Sequence, residues 1–75
     1  MKFYAHANEN CNYKKAISLE KIRSIQLVTG DGKSAIRFSV VVYYEDGNTE
    51  CFDSLLKEEA EQVFSEILEA VRAEA

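Results

Sequence analysis

Proline and tryptophan are absent from this chain of 75 residues; glycine occurs three times, cysteine twice and histidine once. With no proline, low-complexity tract or internal repeat, nothing marks a linker, and residues 1–75 read as one domain. The scarcity of histidine and cysteine works against zinc, because His6, Cys11 and the scattered acids contain no closely spaced ligand pair. Cys11 and Cys51 stand forty residues apart, outside any CxxC spacing. In a reducing compartment such cysteines serve as small hydrophobes, and their spacing leaves pairing open. No run of about 20 apolar residues exists, so no membrane-spanning helix is expected. The start, Met1 to Glu9, lacks the apolar core of a signal peptide, and the cytoplasm is the expected compartment. No cofactor is expected.

What is present is ordinary for a globular chain: 47% hydrophobic and 29% charged residues. A domain this short buries only about 60% of its unfolded surface, so burial by a second copy would add usefully to stability. The net charge of −4 is unevenly placed. Residues 1–44 hold seven basic residues against three acids, +4, and residues 45–75 hold two against ten, −8. One reading is a basic sheet facing an acidic helix within one molecule; the other is a dipolar particle whose copies attract each other.

The last third is the clearest element. Leu56, Ala60, Val63, Phe64, Ile67, Leu68 and Val71 recur at helical steps, which predicts an amphipathic helix over residues 55–73. Asp53 or Ser54 would cap it. Such a helix needs a surface on which to bury its stripe, and residues 2–53 read as the sheet that supplies one. A first short strand runs over residues 2–7, with Phe3, Ala5 and Ala7 on one side and Tyr4 and His6 on the other. Residues 8–12 form a turn. Tyr13, Lys15, Ile17 and Leu19 then share a strand face. Leu19, Ile22 and Ile25 stand three apart, which suits either a tight corner between strands or a two-turn helix over 18–25 capped by Ser18.

Thr29 to Ser34 is a loop with two glycines. Its Gly32-Lys33-Ser34 resembles the end of a phosphate-binding loop, but the preceding spacing is wrong and a strand follows instead of a helix. That strand, Ala35 to Tyr44, carries Ile36, Phe38, Val40, Val42 and Tyr44 on one face and Val41 and Tyr43 on the other. Asp46-Gly47 then signals a hairpin into a strand over residues 49–53. A two-residue turn would pair Val41 with Phe52, whereas a three-residue turn with a bulge at Gly47 would pair Val40 with Phe52. One residue of slip moves Phe52 between the faces, and the sequence leaves both open.

The expected fold is therefore α+β: an antiparallel sheet of four to five strands with one long C-terminal helix on one face. Ile17 to Ile25 followed by a long strand, the Tyr44-Glu45-Asp46-Gly47 turn, a short strand and the Ala60-to-Val71 helix resemble small PH-like proteins of bacteria. That resemblance implies a sheet ending in a helix and transfers no functional residue.

Catalysis finds little to stand on. A set of Cys51, His6 and Asp53 can be written, but no spacing argues that they converge. The helix carboxylates lie on its wet face, where general acid work lacks desolvation. A nucleic-acid reading rests on Tyr4, Tyr13, Phe38 and Tyr43 interleaved with Lys14, Lys15, Lys21, Arg23, Lys33 and Arg37; an overall pI near 4.9 opposes it. Since one helix covers one side of a sheet, the expected role is a non-enzymatic interaction or structural module. Its partner would be itself or another protein, not a membrane, docked through Val41 and Tyr43, with Phe52 joining them under the two-residue turn.

Overall fold

The structure is a computed structural model that describes residues 2–8, 13–29 and 38–74. Of the turn expected over residues 8–12, Asn8 belongs to the first strand, and of the loop expected over Thr29 to Ser34, Thr29 belongs to the third; residues 9–12, 30–34 and the first residues of the long strand, Ile36 among them, lie outside the described residues. Five antiparallel strands precede one helix: β1 (Phe3–Asn8), β2 (Tyr13–Ser18), β3 (Ile22–Thr29), β4 (Phe38–Tyr44), β5 (Thr49–Leu55) and α1 (Lys57–Glu74). The fold is α+β, as the sequence predicts, but the strands divide into a β1–β2 pair and a three-stranded sheet ordered β3-β4-β5.

The hairpin between β4 and β5 takes the three-residue form. The Tyr44 amide donates to Asn48 O at 2.9 Å and the Gly47 amide to Tyr44 O at 3.1 Å. Gly47 sits at φ +92°, a left-handed position that a residue without Cβ adopts cheaply. Asp46 Oδ1 accepts from the Asn48 amide at 3.0 Å and stiffens the turn. Val40 consequently faces Phe52, and Val41 faces Cys51.

Two bulges shift the register of the sheet. Opposite Tyr43 and Tyr44, β3 gains one residue between Ile22 and Ser24, so Ile22 and Ile25 point to the same side despite being three apart. This resolves the spacing of Leu19, Ile22 and Ile25 as a strand corner with no helix. Lys21 turns the corner at φ 62°, and the Ser18 hydroxyl accepts from the Glu20 amide instead of capping a helix. A second bulge lies in β5 between Phe52 and Leu55, with Ser54 at φ 58°, and both of those residues are fully buried.

Because β5 runs on to Leu55, Asp53 and Ser54 do not cap the helix. Leu56 is the N-cap: its carbonyl accepts from the Ala60 amide at 2.8 Å, and its own amide donates to Glu59 Oε1 at 3.4 Å, half of a capping box. Leu56 is 40% exposed, and Leu55 takes the place in the core that the helical stripe assigned to Leu56. Ala60, Val63 and Ile67 are the buried spine of α1. They meet Val40, Val42, Phe52 and Leu55 of the sheet and Ile17 and Leu19 of the β2 region in one core. No helix among the described residues is long and apolar enough to cross a membrane.

Candidate interaction surface

The side chains divide cleanly about the three-stranded sheet. Val40, Val42 and Phe52 define its inner face, and Ile25 and Leu27, directly opposite Val42 and Val40, share it. The helix lies on this side, and so does the β1–β2 hairpin.

The hairpin turns an unexpected face inward. Phe3 is 59% exposed and Ala5 and Ala7 are also exposed, whereas Tyr4 and His6 are half-buried and Asn8 is buried. Hydropathy alone would put Phe3, Ala5 and Ala7 on the inner side. Aromatic bodies with polar tips explain the inversion. The Tyr4 and His6 rings stand edge-on to Phe52, with centroids 5.9 and 6.1 Å away. Their polar ends reach α1: Tyr4 OH donates to Glu66 Oε1 at 2.6 Å, and His6 Nε2 lies 2.7 Å from Glu59 Oε2. Glu59 therefore serves the helix cap with one oxygen and β1 with the other.

The tyrosine hydrogen bond, followed by one from Gln62, holds the Glu66 carboxyl below its ordinary value of 4.5. A depressed folded value means that this contact stabilises the fold above the ordinary carboxylate range and is lost as pH falls through the lowered value. Tyr4→Phe removes the largest cause. In an NMR titration the Glu66 carboxyl of the variant is expected to titrate higher, and the fall in urea midpoint on acidification to become shallower. An unchanged Glu66 titration would show that the contact is absent in solution.

The hairpin also closes one edge of the larger sheet. Lys15 Nζ donates to Cys51 O at 2.9 Å and pairs with Glu50 at 3.1 Å. Tyr13 OH donates to Asp53 O at 2.8 Å, and Asn8 Nδ2 reaches Asp53 O and Ser54 O at 3.2 and 3.1 Å. These side chains satisfy carbonyls that an edge strand otherwise leaves to solvent.

Among the described residues nothing comparable covers the outer face. There Val41 lies between Gln26 and Cys51, and Tyr43 between Ser24 and Thr49. Val41, Tyr43 and Cys51 are half-buried by their neighbours in the sheet, and Tyr43 OH donates to Gln26 Oε1 at 3.0 Å. Among the described residues no element lies over them, and Val28 on the same side is 37% exposed.

Phe52 does not belong to this surface. The longer turn puts it opposite Val40, on the inner face, where it is fully buried. Of the three residues proposed for docking, Val41 and Tyr43 remain together and Phe52 is removed. Cys51 takes its place, and the three-residue hairpin alternative was the signal that placed it.

The remaining sequence candidates are separated by the same geometry. Cys51 faces outward and His6 inward, where His6 bonds Glu59, so Cys51, His6 and Asp53 do not converge. Burial pushes the Cys51 thiol up, Asp53 adds to the shift, and Lys15 and the Ser39 hydroxyl partly oppose it. A raised thiol is a poor nucleophile. No group of three or more metal-ligating side chains occurs among the described residues. Tyr4 and Tyr13 are occupied within the fold, which leaves Tyr43 as the tyrosine on the open face; Lys33 and Arg37 lie outside the described residues. The chain matches no protein-family model, and neither curated proteins nor solved structures show a significant similarity to it.

Proposed function

We propose that the protein is a non-enzymatic interaction module that associates with a second copy of itself through the outer face of its three-stranded sheet. One observation carries this reading: helix and hairpin both pack on the inner side, and Val41 and Tyr43 on the outer side have no described element over them. In a domain of this size, apolar area left outside the single core marks an interface. The order of antiparallel strands followed by a helix keeps the PH-like resemblance within this reading, and no site residue comes with it.

The test is sedimentation of the intact chain from low to high micromolar concentration. The expected result is a mass above that of the 8.5 kDa chain at the upper end. Val41→Lys, which places a charge in the centre of the patch, is expected to weaken association by about tenfold or more. A strictly monomeric wild type contradicts the proposal.

A further inference from the structure

The two edges of the three-stranded sheet are treated differently. The β5 edge is closed by Lys15, Tyr13 and Asn8, whereas no described strand pairs with the outer edge of β3. Beyond the bulge at Arg23, the segment Ser24-Ile25-Gln26-Leu27-Val28-Thr29 contains no charge, proline or glycine. Open edges normally carry lysine, proline or further bulges that discourage pairing. Six uncharged residues rich in β-formers form a template for an added strand instead.

We propose that β3 is a strand-addition edge and that its occupant is β3 of a second copy, running antiparallel about a two-fold axis at Gln26. The identity of the partner rests on the self-association proposed above; the surface is a different one. Residues directly opposite in an antiparallel pair share a face, so the register must keep inner residues against inner residues. An axis at Gln26 does so. Ile25 of one copy opposes Leu27 of the other, which continues the inner core across the axis. On the outer face Gln26 opposes Gln26 and Ser24 opposes Val28. Arg23 lies beyond the regular stretch, and no like charges meet.

The helix supports the same axis. Glu59 and Glu66 flank the α1 spine on the side of β1, where they hold His6 and Tyr4. Phe64 and Leu68 flank it on the other side, are only half-buried, and α1 packs on β3 as well as on β4. Two-fold pairing of β3 therefore brings the two apolar helix flanks toward each other above the joined sheet. The product is a six-stranded sheet ordered β5-β4-β3-β3-β4-β5, with the hairpins already closing both of its outer edges. Edge pairing therefore stops at two copies rather than growing into a fibre. It also doubles the outer face that carries Val41 and Tyr43.

The test combines two measurements. Hydrogen exchange of the wild-type chain, at dilute and at high micromolar concentration, is expected to show alternate amides of Ser24 to Thr29 slowing as concentration rises. Gln26→Lys and Gln26→Glu each set like charges across the axis, at an exposed position, and each is expected to weaken association by about tenfold or more. Mixed in equal amounts they are expected to recover it as a heterodimer. If β3 exchange is independent of concentration while Val41→Lys still dissociates the assembly, the β3 edge is overturned and the face reading stands. If β3 is protected and Val41→Lys changes nothing, the edge stands and the face reading falls. A wild type that stays monomeric overturns both.

Discussion

Phe52→Ala is expected to cost about 3–5 kcal/mol of folding free energy, as much as a single core in a chain this short commonly supplies, about 3–5 kcal/mol. Phe52 is fully buried and is the point at which the three parts of the molecule meet. Its own strand places it opposite Val40, the hairpin sets Tyr4 and His6 edge-on to its ring, and Lys15 Nζ sits 5.9 Å from its centroid. Truncation removes the aromatic contacts and leaves a cavity that the surrounding strands cannot fill by collapsing. Phe52→Leu, which keeps most of the volume, is expected to cost far less, about 1–2 kcal/mol. The urea midpoint with an unchanged slope reads both values. A loss below about 1 kcal/mol for the alanine variant would place the ring on the solvent side of the sheet, the register of the two-residue turn.

The second large effect is expected at Asn8. It is 1% exposed, and its Nδ2 donates to both Asp53 O and Ser54 O at the β5 bulge, where Ser54 holds a left-handed backbone. Asn8→Ala takes the donor away from two carbonyls, one of which keeps Tyr13 OH. A cost of about 1–3 kcal/mol follows from losing both bonds and leaving the part-buried Ser54 carbonyl short of a partner. Asn8→Asp is expected to be worse at neutral pH, because a buried carboxylate would face two carbonyl oxygens. Urea denaturation measures the stability, and hydrogen exchange at residues 53–55 locates the damage. If Asn8→Asp is as stable as wild type, the side chain does not bridge hairpin and bulge.

These two residues also show where sequence reasoning reached and where it stopped. The α1 stripe, the β4 alternation and the Asp46-Gly47 turn are local patterns, and apart from Leu56, whose place in the core Leu55 takes, each appears where local physics places it. The side of the sheet on which Phe52 lies is not local, since it depends on whether two or three residues close the turn. Only the Tyr44–Asn48 pairing decides that. The two bulges were hidden for a related reason. A period of two assigns Ile22 and Ile25, or Phe52 and Leu55, to opposite faces, and one extra residue in the strand reverses the assignment. Apolar residues three apart within strand sequence were the available signal, and at Leu19 to Ile25 that signal also fitted a short helix, although the alternation resuming at Ile25 and Leu27 favoured the corner.

The inward side of the hairpin was not legible for a different reason. Phe3, Ala5 and Ala7 look like an inward face by hydropathy, but Tyr4, His6 and Asn8 carry both an apolar surface for Phe52 and polar tips for Glu66, Glu59 and the β5 carbonyls. No alternation rule reads that double demand. The Val41 and Tyr43 face was legible, because the long β4 alternation fixes it whichever turn is used.

Isotope-filtered NMR on a mixture of labelled and unlabelled chains tests association through the outer face. Intermolecular contacts are expected from the Val41 methyls and the Tyr43 ring, and none from Phe52. An associated sample in which Val41 and Tyr43 give no such contacts, or in which Phe52 does, would contradict association through that face.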